Sequence, residues 1–152
     1  MREVNGIAEL EAAIGENVGT SDWTEITQES VNLFAEATGD HQWIHVDPEK
    51  AKDGPFGGTI VHGFLTLSLL PKFGWEIYTV SGMAMMINYG LNKVRFPAVV
   101  PVGSKVRASI TLDKLEQKSS GYQLTTTTTV EAEGVERPVC IAESLMMLVP
   151  EQ

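Results

Sequence analysis

The feature that most constrains the fold is an apolar segment from residue 61 to residue 78. Its large side chains cover nearly every side of a helix instead of one stripe, and a helix of this kind is surrounded by protein. Pro71 predicts a distortion within it, because the proline ring removes the hydrogen bond to the carbonyl of Leu67. The segment therefore predicts a long central helix that the rest of the chain must cover.

After residue 80 the pattern changes to that of β-strands. Apolar and polar residues alternate, and turn-forming residues at 117–121 and 133–136 predict hairpins. Gly90 separates two of the apolar runs, which we interpret as separate strands. The predicted strands lie at residues 83–89, 91–96, 106–112, 122–130 and 139–148.

The N-terminal region predicts short extra helices. Residues 7–15 have helical spacing, and Thr27 is typical of an N-cap for a helix that runs to about Thr38, with Val31, Phe34 and Ala37 as its buried stripe. Asp47 followed by Pro48 begins another brief helix. A short strand is expected at residues 23–26.

One enclosed helix followed by about five antiparallel strands favours an α+β fold in which a curved sheet wraps around the helix. This arrangement is called the hot-dog fold. With 152 residues, we expect a single domain over residues 1–152. Because one such sheet leaves an open edge, we also expect a homodimer in which two sheets pair.

Composition excludes several functions. The formal net charge of −9 argues against nucleic acid and anionic membrane surfaces as partners. No stretch reaches the roughly 18 apolar residues that span a bilayer, and the N-terminus lacks the pattern of a secretion signal. The single Cys140 lies in an apolar alternating run, which is typical of a buried thiol in a reducing compartment. We therefore expect a cytoplasmic protein.

The loop after the second helix carries the clearest chemical signal. Asp40 and His45 lie five positions apart, between Gly39 and Pro48, so the segment cannot form one regular helix. The residues directly before His45 are apolar. A loop that places a carboxyl group and an imidazole among apolar residues is a usual way to build an acid/base pair in a dry pocket.

The residues around this pair resemble the hydratase motif of the MaoC-like dehydratases, a family that includes the (R)-specific enoyl-CoA hydratases. The matching positions are Phe34, Thr38, Gly39, Asp40, His45 and Ala51. Gln42 and Trp43 depart from the motif, which has Asn and Pro there. The resemblance extends to residues 61–64, Ser68, 95–97 and 101–103, covers roughly residues 25–149, and looks closest to stand-alone single-domain bacterial forms.

The resemblance implies reversible addition of water to a trans-2-enoyl-CoA, which gives the (R)-3-hydroxyacyl-CoA. Asp40 and His45 would hold the water between them, and which of the two is the base stays open. The amide of Gly63, at the start of the central helix, would contact the thioester oxygen. Ser68 and Gln42 are further candidates for substrate contact. We expect no cofactor, because coenzyme A is part of the substrate, and no metal.

Each site residue also has a structural interpretation. Asp40 could cap a turn, and His45 could be a core histidine with satisfied hydrogen bonds. Gly63 could serve only close packing, and Ser68 could bond back to the carbonyl of Phe64. His62 is interpreted as structural, at the helix start. His41 and His45 have the spacing of a helical zinc pair, but the flanking Gly39 and Pro48 argue against a helix there.

Lys93 and Arg95 form a small basic patch in an acidic chain, and we expect them to contact the phosphates of coenzyme A. A solvated strand face is the alternative. The expected partner is an acyl-CoA, or an acyl thioester on acyl carrier protein. Three other functions remain open: a hot-dog thioesterase, a non-catalytic acyl-thioester-binding regulatory protein, and a hydratase that needs a second, different hot-dog chain.

Overall fold

The large antiparallel sheet dominates the structure, a computed structural model that describes residues 1–152. The elements in chain order are β1 (Arg2–Val4), α1 (Gly6–Ala12), β2 (Asn17–Thr20), β3 (Thr24–Glu25), α2 (Gln28–Thr38), α3 (Trp43–Val46), α4 (Pro48–Ala51), α5 (Gly63–Ser68), α6 (Leu70–Ile77), β4 (Tyr78–Val80), β5 (Met83–Arg95), β6 (Lys105–Lys118), β7 (Gly121–Ala132) and β8 (Cys140–Pro150).

Six strands form this sheet, in the order β2-β6-β7-β8-β5, with β3 also paired to β6. All pairings in it are antiparallel. Register shifts interrupt β5 at three places and β6 at one, and bulges of this kind bend a strand and increase its twist. Strand β5 lies at one edge, so one side of it has no partner within the chain. A separate parallel pair joins β1 to β4.

The helical segment packs against this sheet. Leu65 of α5 and Phe73 and Ile77 of α6 belong to one buried cluster with Leu112 of β6 and Leu124 of β7. Phe73 is completely buried. A sheet that closes around a central helical segment is the predicted hot-dog arrangement, and this prediction is confirmed.

The central helix is divided in two, contrary to the prediction of one long helix. Segment α5 ends at Ser68 and α6 begins at Leu70. The Leu69 N–H bonds to the carbonyl of Thr66 at 3.2 Å, and the regular pattern resumes with the Phe73 N–H on the carbonyl of Leu69 at 3.1 Å. The cause is the predicted one, since Pro71 has no N–H to offer the carbonyl of Leu67.

The capping predictions for the N-terminal helices are confirmed. Helix α2 begins after Thr27, whose hydroxyl accepts a hydrogen bond from the Ser30 N–H at 3.1 Å. Helix α4 begins after Asp47, whose carboxylate accepts from the Lys50 N–H at 3.0 Å. Each side chain satisfies an N–H group that has no partner inside its helix.

Several local predictions were wrong. Ala37 is exposed, and Ala35 occupies the buried face of α2 together with Val31. Residues 83–95 form one strand, because β8 pairs with it on both sides of Gly90. Gly90 itself pairs with Leu145, and a bulge lies between Asn88 and Gly90. The predicted strand at residues 23–26 shrinks to β3, and β1, β2 and α3 were not predicted at all.

Two buried side chains have perturbed acidities. Cys140 is completely buried, as predicted, and burial raises the pKa of its thiol to about 11. Burial likewise raises the pKa of the Tyr78 phenol to about 12. No helix has the length and apolar character needed to cross a membrane.

Tyr78 predicts a loss of stability at alkaline pH. Its folded pKa lies above the ordinary value of 10.0, so above that pH the unfolded chain releases a proton that the folded chain retains. The free energy of unfolding should therefore fall by up to about 1.4 kcal/mol per pH unit between pH 10 and 12 from this group. Denaturant titrations of wild type and Tyr78→Phe measure this, and equal slopes in the two proteins would contradict it.

Candidate active site

The end of α2 places Asp40. Gly39 adopts a left-handed conformation with φ 83°, which stops the helix and turns the chain into the loop that Asp40 begins. The Asp40 carboxylate accepts a long hydrogen bond of 3.3 Å from the Gln42 N–H. Its side chain is 52% exposed, so it can reach a ligand in the adjoining space.

The short helix α3 places His45, which is only 7% exposed. Its Nδ1 donates to the carbonyl of Ile60 at 2.7 Å. A carbonyl oxygen can only accept, so Nδ1 carries the hydrogen, and the neutral ring has its lone pair at Nε2. His45 is thereby prepared to accept a proton from water at Nε2.

Gln28, which the sequence analysis did not single out, ties these elements together. Its side-chain amide donates to the carbonyl of His45 at 2.8 Å and accepts from the Thr59 hydroxyl at 2.7 Å. The Ile60 N–H bonds to the carbonyl of Ile44 at 2.9 Å. These bonds hold α3 between α2 and the segment that leads to α5. A polar residue at the first position of a helix carries no sequence signal for such a role.

His62 also joins the site, contrary to its interpretation as a residue that helps start the helix. It occupies the N-cap position of α5, but its imidazole makes no capping hydrogen bond. Instead the ring stacks on His45, with centroids 3.9 Å apart and planes inclined by 24°. Its Nε2 donates to the backbone carbonyl of Asp40 at 3.0 Å and lies 4.0 Å from the Asp40 carboxylate.

One polar atom from each of Asp40, His45 and His62 lies within 4.8 Å of the others. A catalytic zinc ion also has three protein ligands, so the number of groups does not decide between metal and water. The His62 Nε2 that lies near Asp40 donates a hydrogen bond to a backbone carbonyl, so this nitrogen has no lone pair to offer a metal ion. This geometry suits a shared water better than a metal ion, and the absence of a metal stays a prediction.

Gly63 shares a cavity with His45. This cavity has a volume of about 220 Å³ and is also lined by Phe96. The Gly63 N–H has no backbone partner. A Cβ at this position would lie 3.3 Å from the Phe96 ring, so the close packing that we considered as an alternative does occur. Gly63 thus combines an N–H without a backbone partner with close packing against Phe96.

The other two substrate candidates lie apart from this cavity. The Ser68 hydroxyl donates to the carbonyl of Phe64 at 2.6 Å, which is the alternative interpretation given above. Ser68 lines a larger cavity of about 500 Å³ between α5, α6 and the sheet, which neither Asp40 nor His45 lines. The Gln42 side chain is exposed and makes no hydrogen bond within the chain.

Lys93 and Arg95 are exposed on the edge strand β5. Neither residue forms an ion pair within the chain, whereas six of the other lysines and arginines do. Arg95 directly precedes Phe96, which lines the cavity of His45. Arg95 is thus next in sequence to a residue that lines the cavity, and Lys93 lies two residues earlier on the same strand.

Residues 9–135 match the family model described as a MaoC like domain. The chain belongs to the MaoC-like dehydratase family. The 3-hydroxyacyl-thioester dehydratase Z of Mycobacterium tuberculosis (strain ATCC 25618 / H37Rv) is 61% identical over 150 residues, which cover 98% of this chain and 99% of that protein. Nodulation protein N of Rhizobium leguminosarum bv. viciae is 41% identical over 145 residues, covering 93% and 90%.

Solved structures agree with this assignment. The (R)-hydratase from A. caviae involved in PHA biosynthesis is 25% identical and superposes with a TM-score of 0.72, covering 89% of this chain and 97% of that one. The MaoC-like protein described here is accordingly an enzyme of the hydratase or dehydratase class, a hydro-lyase.

Proposed function

We propose that this MaoC-like protein reversibly adds water to the double bond of a trans-2-enoyl-CoA and forms the (R)-3-hydroxyacyl-CoA. The observation that carries the proposal is the tautomer of His45. Its Nδ1–H is occupied by the carbonyl of Ile60 at 2.7 Å, which leaves the basic Nε2 in a buried position beside the Asp40 loop.

The proposed reaction uses each group once. Water attacks C3 as His45 Nε2 removes one of its protons, so an O–H bond breaks and a C3–O bond forms. The electrons of the double bond move toward C2, and negative charge develops on the thioester oxygen. Asp40 must enter this step as the protonated acid: its O–H bond breaks as the C2–H bond forms. The proton that His45 took from water then passes through solvent to the Asp40 carboxylate, which restores the pair. Dehydration is the same sequence reversed.

The developing charge on the thioester oxygen needs a fixed donor. Gly63, whose N–H has no backbone partner, lines the cavity that His45 also lines, which supports this N–H as the donor; one such donor typically contributes about 3 kcal/mol in the transition state. Gln42 and Ser68 are assigned weaker, substrate-contacting roles, since the Ser68 hydroxyl must first leave the carbonyl of Phe64. We propose no metal and no cofactor besides the coenzyme A of the substrate.

The proposed assembly is a homodimer of one-domain chains, residues 1–152, in the cytoplasm. The open edge of β5 supports pairing, because unpaired strand edges recruit another strand. Large apolar side chains lie exposed on the central helices and on this edge, including Phe64, Trp75 and Leu91. Burial of such a patch favours a second copy of the chain.

The deciding experiment follows the loss of the conjugated thioester absorbance of crotonyl-CoA, with chiral analysis of the product. We expect (R)-3-hydroxybutyryl-CoA. Release of free coenzyme A and crotonic acid would support a thioesterase, and binding without turnover would support a regulatory protein. Size-exclusion chromatography of the active fraction tests whether a different partner chain is required.

Lys93 and Arg95 predict a substrate-binding effect. The double variant Lys93→Ala/Arg95→Ala should raise KM for crotonyl-CoA by about three- to tenfold and leave kcat nearly unchanged, because lost phosphate contacts weaken binding alone. The control variant Lys114→Ala/Lys118→Ala removes two charges from β6, which pair with Glu116, and should leave KM unchanged. Crotonyl-pantetheine lacks the nucleotide, so an equal rise in its KM would contradict the assignment.

A further inference from the structure

We propose that His62 is a positioning residue that holds both members of the catalytic pair, Asp40 through its backbone and His45 through its ring. This inference rests on the proposed hydration reaction for its kinetic consequences, but its structural consequences can be measured without turnover. His62 touches neither the water nor the substrate in this role. It acts through its two neighbours.

Asp40 needs such an anchor. The bonds that the loop itself provides are long: 3.4 Å from the Asp40 N–H to the Thr38 hydroxyl, and 3.3 Å from the Gln42 N–H to the Asp40 carboxylate. The His62 ring is 3% exposed and donates to the Asp40 carbonyl at 3.0 Å. It is therefore the one buried group that bonds to Asp40, and it ties the loop to the start of α5.

The second ring nitrogen of His62 indicates that the bond from Nε2 to Asp40 is the reason for an imidazole at this position. Its Nδ1 is sealed from solvent and has no hydrogen-bond partner. A buried polar atom without a partner is costly, and the ring of Phe34, whose centroid lies 5.0 Å away, offers no compensation. An apolar ring would avoid that cost, so packing alone does not explain an imidazole here. The Nε2–H bond to Asp40 does.

The stack with His45 provides the second constraint. The hydrogen bond to the Ile60 carbonyl fixes one edge of the His45 ring. The His62 ring, stacked on it with centroids 3.9 Å apart, fixes the plane of the His45 ring. Together these two contacts make Nε2 of His45 point in a single direction. A catalytic base must be held close to its productive geometry, because small displacements slow the reaction strongly.

Two variants separate positioning from packing. His62→Phe keeps an aromatic ring but removes the donor, while His62→Gln places an amide N–H near the position of Nε2. We expect kcat for crotonyl-CoA to fall at least about tenfold in His62→Phe with KM within about twofold. We expect a smaller fall, of about three- to fivefold, in His62→Gln, which restores the bond to Asp40 but lacks the ring that stacks on His45. A packing role predicts the reverse ranking, because phenylalanine fills an apolar site better, and that result would overturn the proposal.

Coupling to Asp40 gives an independent readout. If His62 acts through Asp40, His62→Phe should cost less than about threefold when introduced into Asp40→Asn. An undiminished tenfold loss in that background would show that His62 acts elsewhere.

A measurement without substrate keeps this proposal separate from the proposed reaction. ¹⁵N spectra of wild type should show His62 as the Nε2–H tautomer. The backbone order parameters of residues 40 and 41 should fall from near 0.85 toward 0.6 in His62→Phe and not in His62→Gln. Rigid loops in both variants would end the proposal, even in a protein that hydrates crotonyl-CoA. Failure of wild type to hydrate crotonyl-CoA, with the loop result intact, would overturn only the reaction.

Discussion

Replacement of His45 by glutamine is expected to lower kcat for crotonyl-CoA hydration by at least about a hundredfold. Glutamine keeps a polar side chain of similar reach in a position that is only 7% exposed, but an amide cannot accept a proton from water. The loss should fall on kcat, because substrate binding does not use the Nε2 lone pair. Steady-state kinetics of the purified variant measures both constants.

His41 provides the matched control for this variant. Its imidazole is also in the loop, but it is 51% exposed and faces Glu36 at 3.6 Å. His41→Gln should retain kcat within about twofold. Wild-type turnover in His45→Gln, with correct folding shown by its melting temperature, would remove His45 from the mechanism.

Replacement of Asp40 by asparagine is expected to have an effect of the same size, at least about a hundredfold on kcat. The amide oxygen of asparagine still accepts the hydrogen bond that the carboxylate receives from the Gln42 N–H, and the backbone carbonyl still receives the bond from His62. The loop should therefore keep its shape. Only the ability to deliver a proton to C2 is lost.

Asp47→Asn makes the same chemical change seven residues further along the chain. Asp47 caps α4 through its carboxylate, a role that asparagine also fills well, so kcat should stay within about twofold of wild type. If Asp40→Asn behaved like this control, the carboxyl group would have no part in proton transfer.

The double variant of Asp40 and His45 should be at most about tenfold slower than either single variant, because the effects of groups that act as a unit are not additive.

One of the two departures from the family motif, Trp43 in place of proline, has a structural explanation. Gln42 and Trp43 are the N-cap and the first residue of α3. Proline suits the first position of a helix because its missing N–H would have no partner there, so another residue can replace it without loss of a hydrogen bond. The Trp43 ring packs on Gly54, where a Cβ would lie 3.1 Å away, and under Lys50 at 4.7 Å.

Local chemistry explains which features were predictable. The caps at Thr27 and Asp47, the end of α2 at Gly39 and the break near Pro71 depend on hydrogen bonds within one or two turns of the chain. The long strands β6, β7 and β8 were visible because one of their faces is buried, which imposes alternation. The Asp40 and His45 pair was visible because its spacing recurs in a family motif.

The features that were missed depend on partners far along the chain. Strand β5 passes through Gly90 because β8 supplies its hydrogen bonds, and the short strands β1 and β2 exist only through pairing with β4 and β6. No local pattern encodes such pairing.

The amino-acid sequence by itself determined the class of fold and singled out Asp40 and His45 as the proposed acid/base pair, because periodicity, caps and motif spacing act over short distances. Only the tertiary structure decided how the pair is held. The bond from His45 to Ile60, the stack of His62 on His45 and the bridge made by Gln28 join residues 15, 17 and 17 positions apart. Such contacts depend on the direction in which each segment leaves the sheet and the helix, and packing of the whole chain sets that direction.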